Sequence, residues 1–192
     1  LLIKSLFEER KEFDSNAFYD VSAWSMQHTF NLPFARLSRT QYRDNMLGEK
    51  IDQNKQPQGN LHGDSNIAYV FSWDHYNASP VLYALLKDEV KVQVATKPFE
   101  FETLMGPEHF SPGSIIVPVG IQSMEAAELK DRLEQLASEN GIDIFPIKQG
   151  LAFSGTDLGS PSNVPLKIPK PVMITGRGVT STDAGEVWQL LD

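Results

Sequence analysis

The sequence predicts an α/β fold: three layers around a central, mainly parallel sheet. Two observations carry this expectation. From Ile67 onward, short apolar runs of strand length alternate with helical stripes, at intervals that suit right-handed strand–helix–strand crossovers. Before that point the spacing is irregular, so the chain divides into an N-terminal α+β segment (1–58), a linker or loop (59–66) and an α/β domain (67–192).

The elements follow in order. Ile3, Leu6 and Phe7 make one apolar face of a short helix over 2–11, and residues 18–24 alternate well enough for a strand. Residues 53–60 are polar with Pro57 and Gly59, which reads as linker or exposed loop. Residues 67–71 form the first regular strand. Ser79-Pro80 then opens a helix, with Ser79 as N-cap, Pro80 at the first helical position and Leu82, Leu85 and Leu86 as the buried stripe. Val90, Val92 and Val94 mark a strand over 90–95. Between Thr96 and Pro112 no helical stripe appears, and Phe99 and Phe101 alternate with Glu100 and Glu102, which predicts a strand extension with a hairpin.

Residues 114–118 are the next strand. Ser123 caps a helix with Leu129, Leu133 and Leu136 on one face, and Asn140-Gly141 stops it. Strands over 142–147 and 172–175 follow. Asp183 and Glu186 make a capping box on a last helix, whose Val187, Leu190 and Leu191 face inward. The stripe of the first regular helix thus recurs in the last, each behind a strand and a polar loop. The α/β domain therefore reads as truncated at its C-terminal end, just inside a second copy of the unit.

Composition excludes several functions. With 17 basic against 25 acidic residues the net charge is −8, and no basic run offsets it. That is a poor surface for nucleic acid, whose phosphates need clustered Lys and Arg, and for anionic lipid. The chain has no cysteine, hence no disulfide, no thiolate metal site and no cysteine nucleophile. No apolar run approaches the roughly 20 residues that span a bilayer. A start at Leu1-Leu2-Ile3 rather than Met suggests a piece of a longer protein.

Motifs for catalysis are absent or incomplete. The four histidines (His28, His62, His75, His109) show no zinc-hydrolase spacing, and His62 with Asp64 or Asp74 with His75 reads as ordinary loop chemistry. Gly155-Thr156-Asp157-Leu158-Gly159 carries Asp where a nucleophile elbow needs Ser, so a turn explains it better. Glu100 and Glu102 share a strand face, which suits acid–base work or simply a solvated surface. Arg36, Arg39 and Arg43 line one face if their segment is helical.

Two loops are the candidate ligand sites. Trp73, Asp74, His75 and Tyr76 follow the first regular strand and so lie at the carboxyl edge of a sheet, where aromatic rings beside Asp and His suit sugar or peptide. Packing of Trp73 over the core is the simpler account of the same loop. Arg177 stands in Gly176-Arg177-Gly178, between the last strand and the last helix, where an anion is attracted. A tight strand-to-helix turn needs such glycines anyway. We assign no catalytic and no metal-binding residue.

Several strings resemble segments of bacterial proteins of the zinc carboxypeptidase family, relatives of carboxypeptidase A. These are Phe18-Tyr19-Asp20-Val21-Ser22-Ala23-Trp24-Ser25, Ala95-Thr96-Lys97-Pro98-Phe99, Asp157-Leu158-Gly159-Ser160-Pro161-Ser162, and Thr175-Gly176-Arg177-Gly178-Val179-Thr180-Ser181 running into Ala184-Gly185-Glu186-Val187-Trp188. In that family such strings lie downstream of the peptidase domain. The resemblance implies a flavodoxin-like fold similar to class I glutamine amidotransferases. No residue here matches the family's zinc ligands or the amidotransferase cysteine. It further implies a parent zinc carboxypeptidase, periplasmic or secreted, with zinc held in the peptidase domain and none in this region. This region is then a non-catalytic accessory domain that scaffolds the peptidase or helps it hold peptide or cell-wall substrate. Its partners are the remainder of the parent polypeptide and that substrate. A small hydrolase-like enzyme using Asp74 and Arg177, or a pure protein-interaction module, are the alternatives.

Overall fold

A computed structural model describes residues 6–7, 25–30, 32–38, 40–50, 58–103 and 105–191. The elements expected over 18–24 and most of 2–11 and 53–60 lie outside these residues. The described elements begin with one helical turn, α1 (Met26–Thr29), and a 3-10 turn at Asp44–Met46. The segment carrying Arg36 is not helical, so no basic helical stripe forms there.

From residue 68 the order is β1 (Ala68–Phe71), α2 (Ala78–Lys87), β2 (Gln93–Ala95), β3 (Phe99–Thr103), β4 (Gly106–Phe110), β5 (Ile115–Pro118), α3 (Ala126–Asn140), β6 (Phe145–Ile147), β7 (Ser154–Gly155), β8 (Asn163–Pro165) and α4 (Ser181–Leu191). The strands form a five-stranded sheet, β6-β1-β5-β2-β8, and a three-stranded sheet, β4-β3-β7. Every ladder in both is antiparallel.

This corrects the expected three-layer, mainly parallel, flavodoxin-like or amidotransferase-like α/β fold. The strand–helix–strand units exist, but both are split. β1 and β2, joined through α2, run the same way with β5 inserted between them. β5 and β6, joined through α3, run the same way with β1 between them. Two interlocked split units give the ferredoxin-like connection order, extended here by β8 and by the inserted β3–β4 hairpin. Spacing along the chain shows that a crossover is made. It does not show whether the returning strand docks beside its predecessor or one place further on.

The apolar runs are long because the five-stranded sheet is covered on both faces. Side chains alternate along β1, so Tyr69 and Phe71 point to one face and Ala68 and Val70 to the other. On the first face they meet Val81 and Leu85 of α2 and Leu129, Leu133 and Leu136 of α3. On the second they meet Phe99, Phe101 and Phe110 of the smaller sheet. Phe99 stacks on Phe110 with ring centres 5.1 Å apart, and Phe110 meets Phe145 edge-on at 5.9 Å. The hairpin expected after Thr96 is therefore the inner wall of this second layer.

Helix ends shift slightly from expectation. α2 starts at Ala78, whose N–H donates to the His75 carbonyl (3.0 Å), so Ser79 and Pro80 lie inside the first turn, where an N–H is dispensable. α3 starts at Ala126 rather than after Ser123. It stops at Gly141, which is left-handed (φ 63°), while Ile142 N–H donates to the Ala137 carbonyl (3.1 Å). Val90 and Val92 point inward as expected, although ladder pairing begins only at Gln93.

The C-terminal expectations fail. Residues 172–175 join no sheet, and Val172 and Ile174 are 88% and 80% exposed. α4 begins at Ser181, ahead of the expected capping box, and Val187 and Leu190 are exposed rather than inward. Their apolar stripe has the right period, but among the described residues no layer lies against it.

Candidate functional site

β1 ends at Phe71 in the core, and the next six residues turn over the rim of the molecule into α2. Small polar side chains shape this turn. Ser72 Oγ donates to Asp74 Oδ2 (3.1 Å) and accepts the Asp74 N–H (3.1 Å), the local bonding by which serine stabilises turns. The Asn77 N–H donates to His75 Nδ1 (3.3 Å), which makes Nδ1 the acceptor nitrogen of that ring. Asn77 Nδ2 donates to the Asn140 carbonyl (2.7 Å), tying the turn to the end of α3.

Trp73 packs its Cβ and ring edge against Gly113, in the turn before β5. A Cβ on Gly113 would stand 3.3 Å from that of Trp73, and the φ of 98° there also favours glycine. The packing is partial, since Trp73 remains 41% exposed. Tyr76 is 70% exposed and meets Phe30, with ring centres 5.2 Å apart and planes at 57°. Asp74 and His75 lie between these two aromatic residues and are exposed. The structure thus places Trp73, Asp74, His75 and Tyr76 on one braced turn. One edge of Trp73 packs and the rest faces solvent.

Arg177 is elsewhere. It sits in a separate exposed turn between 171–175 and α4, where Gly176 and Gly178 have φ of 118° and 95° and Val179 N–H donates to the Gly176 carbonyl (3.1 Å).

Sequence reading missed a polar cluster beside β6. His62 Nε2 lies 2.8 Å from Asp143 Oδ1, and the imidazole stacks on Phe145 (4.9 Å, 17°). The same carboxylate oxygen accepts the Asn60 N–H (3.1 Å). Asp64 instead pairs with Lys130 Nζ at 2.6 Å, and this hydrogen-bonded carboxylate holds the Lys130 ammonium above its ordinary pKa. The partners stand far apart in the chain, so no local pattern announces them. Likewise Glu100 meets His109 across the hairpin (3.3 Å), a pairing that the local pattern does not announce.

Among the described residues no three His, Asp or Glu side chains converge on a point that would hold a metal ion. Among the described residues, too, no helix is long and apolar enough to cross a membrane. No protein family, curated protein or solved structure matches the chain.

Proposed function

We propose that this chain is a non-catalytic accessory region of a zinc carboxypeptidase-family protein, which holds peptide or cell-wall substrate through the turn of Trp73, Asp74, His75 and Tyr76. One observation carries the reading: two aromatic side chains stay exposed on a turn whose backbone is already held by Ser72 and Asn77. Exposed aromatics supply stacking area with few rotors to freeze, and a braced backbone lowers the ordering cost of binding. Asp74 and His75 add hydrogen-bonding partners suited to amides and hydroxyls. The family assignment rests on the strings quoted above, and the ligand class on the chemistry of the turn.

Calorimetric titration with short peptides and with cell-wall peptides tests this. Trp73→Ala and Tyr76→Ala are each expected to weaken binding about tenfold, a usual cost for an aromatic anchor. Their thermal midpoints should stay within a few degrees of the parent, whereas Arg177→Ala should leave affinity unchanged. Loss of binding that tracks loss of folding, or no binding by the parent chain, would sink the reading.

A further inference from the structure

A groove of about 790 Å3 opens between the end of α2, the approach to β2 and the chain leaving β8. Its floor is apolar, including Val90, Val92 and Leu166, and Ile121 and Ile168 are exposed at its mouth. Among the described lining residues Lys91, Lys167 and Lys170 stand against one acid, Glu89, which reverses the acidic balance of the chain as a whole.

The same chain carries a matching shape. α4 holds Asp183 and Glu186 and no basic residue, and it exposes Val187, Trp188 and Leu190. At 11 residues it is about 16 Å long. Backbone pairing with the sheet ends where the Leu166 N–H donates to the Val92 carbonyl (2.9 Å), and among the described residues 167–175 make no backbone–backbone hydrogen bond. Residues 171–191 therefore form an arm, rooted at the groove's own rim.

We propose that this groove receives α4 of a second copy of the chain. An acidic amphipathic helix entering a lysine-rimmed apolar groove satisfies both surfaces at once, the helix-in-groove mode of recognition. Val187 and Trp188 line an open recess with Val172, Met173 and Ile174 of the same arm, and all of these but Met173 stay exposed. Among the described residues no part of α4 lines the groove, so the helix does not occupy its own groove and keeps its apolar side open to a neighbour. Because each copy offers one arm and one groove side by side, a reciprocal exchange closes as a two-fold dimer and leaves no open end.

Sedimentation velocity over a range of concentrations tests this, at low and at high salt. A concentration-dependent dimer of the 21.5 kDa chain is expected, weakened as salt screens the lysines. Trp188→Ala and the pair Lys167→Glu with Lys170→Glu should each weaken it about tenfold. Adding Asp183→Lys and Glu186→Lys to the lysine pair should recover affinity to within about threefold of the parent, a rescue that general destabilisation cannot mimic. A chain that stays monomeric at every concentration overturns the proposal, as does a dimer indifferent to these changes. So does a change in Trp188 fluorescence on lysine reversal with no change in mass, which would mean that α4 docks on its own groove.

Discussion

Gly155 illustrates how much one position can depend on a distant neighbour. It lies in β7 with φ of 84°, and a Cβ there would stand 2.2 Å from the Pro98 carbonyl oxygen and 2.7 Å from the Phe99 Cα. Both atoms are backbone, so nothing flexible can give way. Gly155→Ala is expected to destabilise the fold by at least about 2 kcal/mol, since it adds a backbone clash to an unfavourable φ. Gly159→Ala, a substitution at the other end of the same string with nothing within 4 Å of the added carbon, should cost far less. Chemical unfolding of the two variants reads the difference directly. From sequence the string Gly155 to Gly159 reads as a turn, and the turn is there. The close approach to Pro98 was not legible, because it is made by a strand pairing between segments far apart in the chain.

The helices make the same point for larger pieces. α3 and α4 both carry an amphipathic stripe of the correct period, and both were expected to bury it. Leu133 of α3 is fully buried, while Leu190 of α4 is 83% exposed. Leu133→Ala is therefore expected to cost about 2–5 kcal/mol, the usual range for emptying a core leucine site. Leu190→Ala, measured at concentrations too low for association, should stay within about 0.5 kcal/mol of the parent. Urea midpoints at constant slope would check both. Periodicity specifies which side of a helix is apolar, and this was readable for α3 and α4, whereas the buried face of α2 is Ala78, Val81 and Leu85 rather than the expected Leu82, Leu85 and Leu86. It carries no information about what, if anything, lies opposite. The candidate site divides in the same way: the aromatic turn was legible as a loop after a strand, whereas the bracing by Asn140 and Gly113 and the His62–Asp143 pair required the folded chain.

Considered as one body, the molecule is a sheet with two cores, helices over one face and a small aromatic sheet over the other. β1 and β5 lie between their neighbours within that sheet and beneath both layers, so their amides open only when most of the body opens. Hydrogen exchange is expected to be slowest across Ala68–Phe71 and Ile115–Pro118 and near the unprotected limit over 167–175. Protection of α4 that grows with protein concentration would accompany the proposed exchange of arms.

The chain's own pattern was sufficient for β1, β5, the hairpin and the buried stripe of α3, because each depends on side-chain alternation within a few residues, but β7 and β8 were not read from it. It was sufficient too for the absence of cysteine chemistry. Strand direction and order, the splitting of both crossovers, and the desertion of the C-terminal stripe were settled in three dimensions. Those depend on which surfaces find each other: β5 between β1 and β2, β1 between β5 and β6, and the phenylalanines of the hairpin on the face where further helices were expected. Local spacing is blind to such choices, since an inserted neighbour changes nothing in the sequence of the strands it separates.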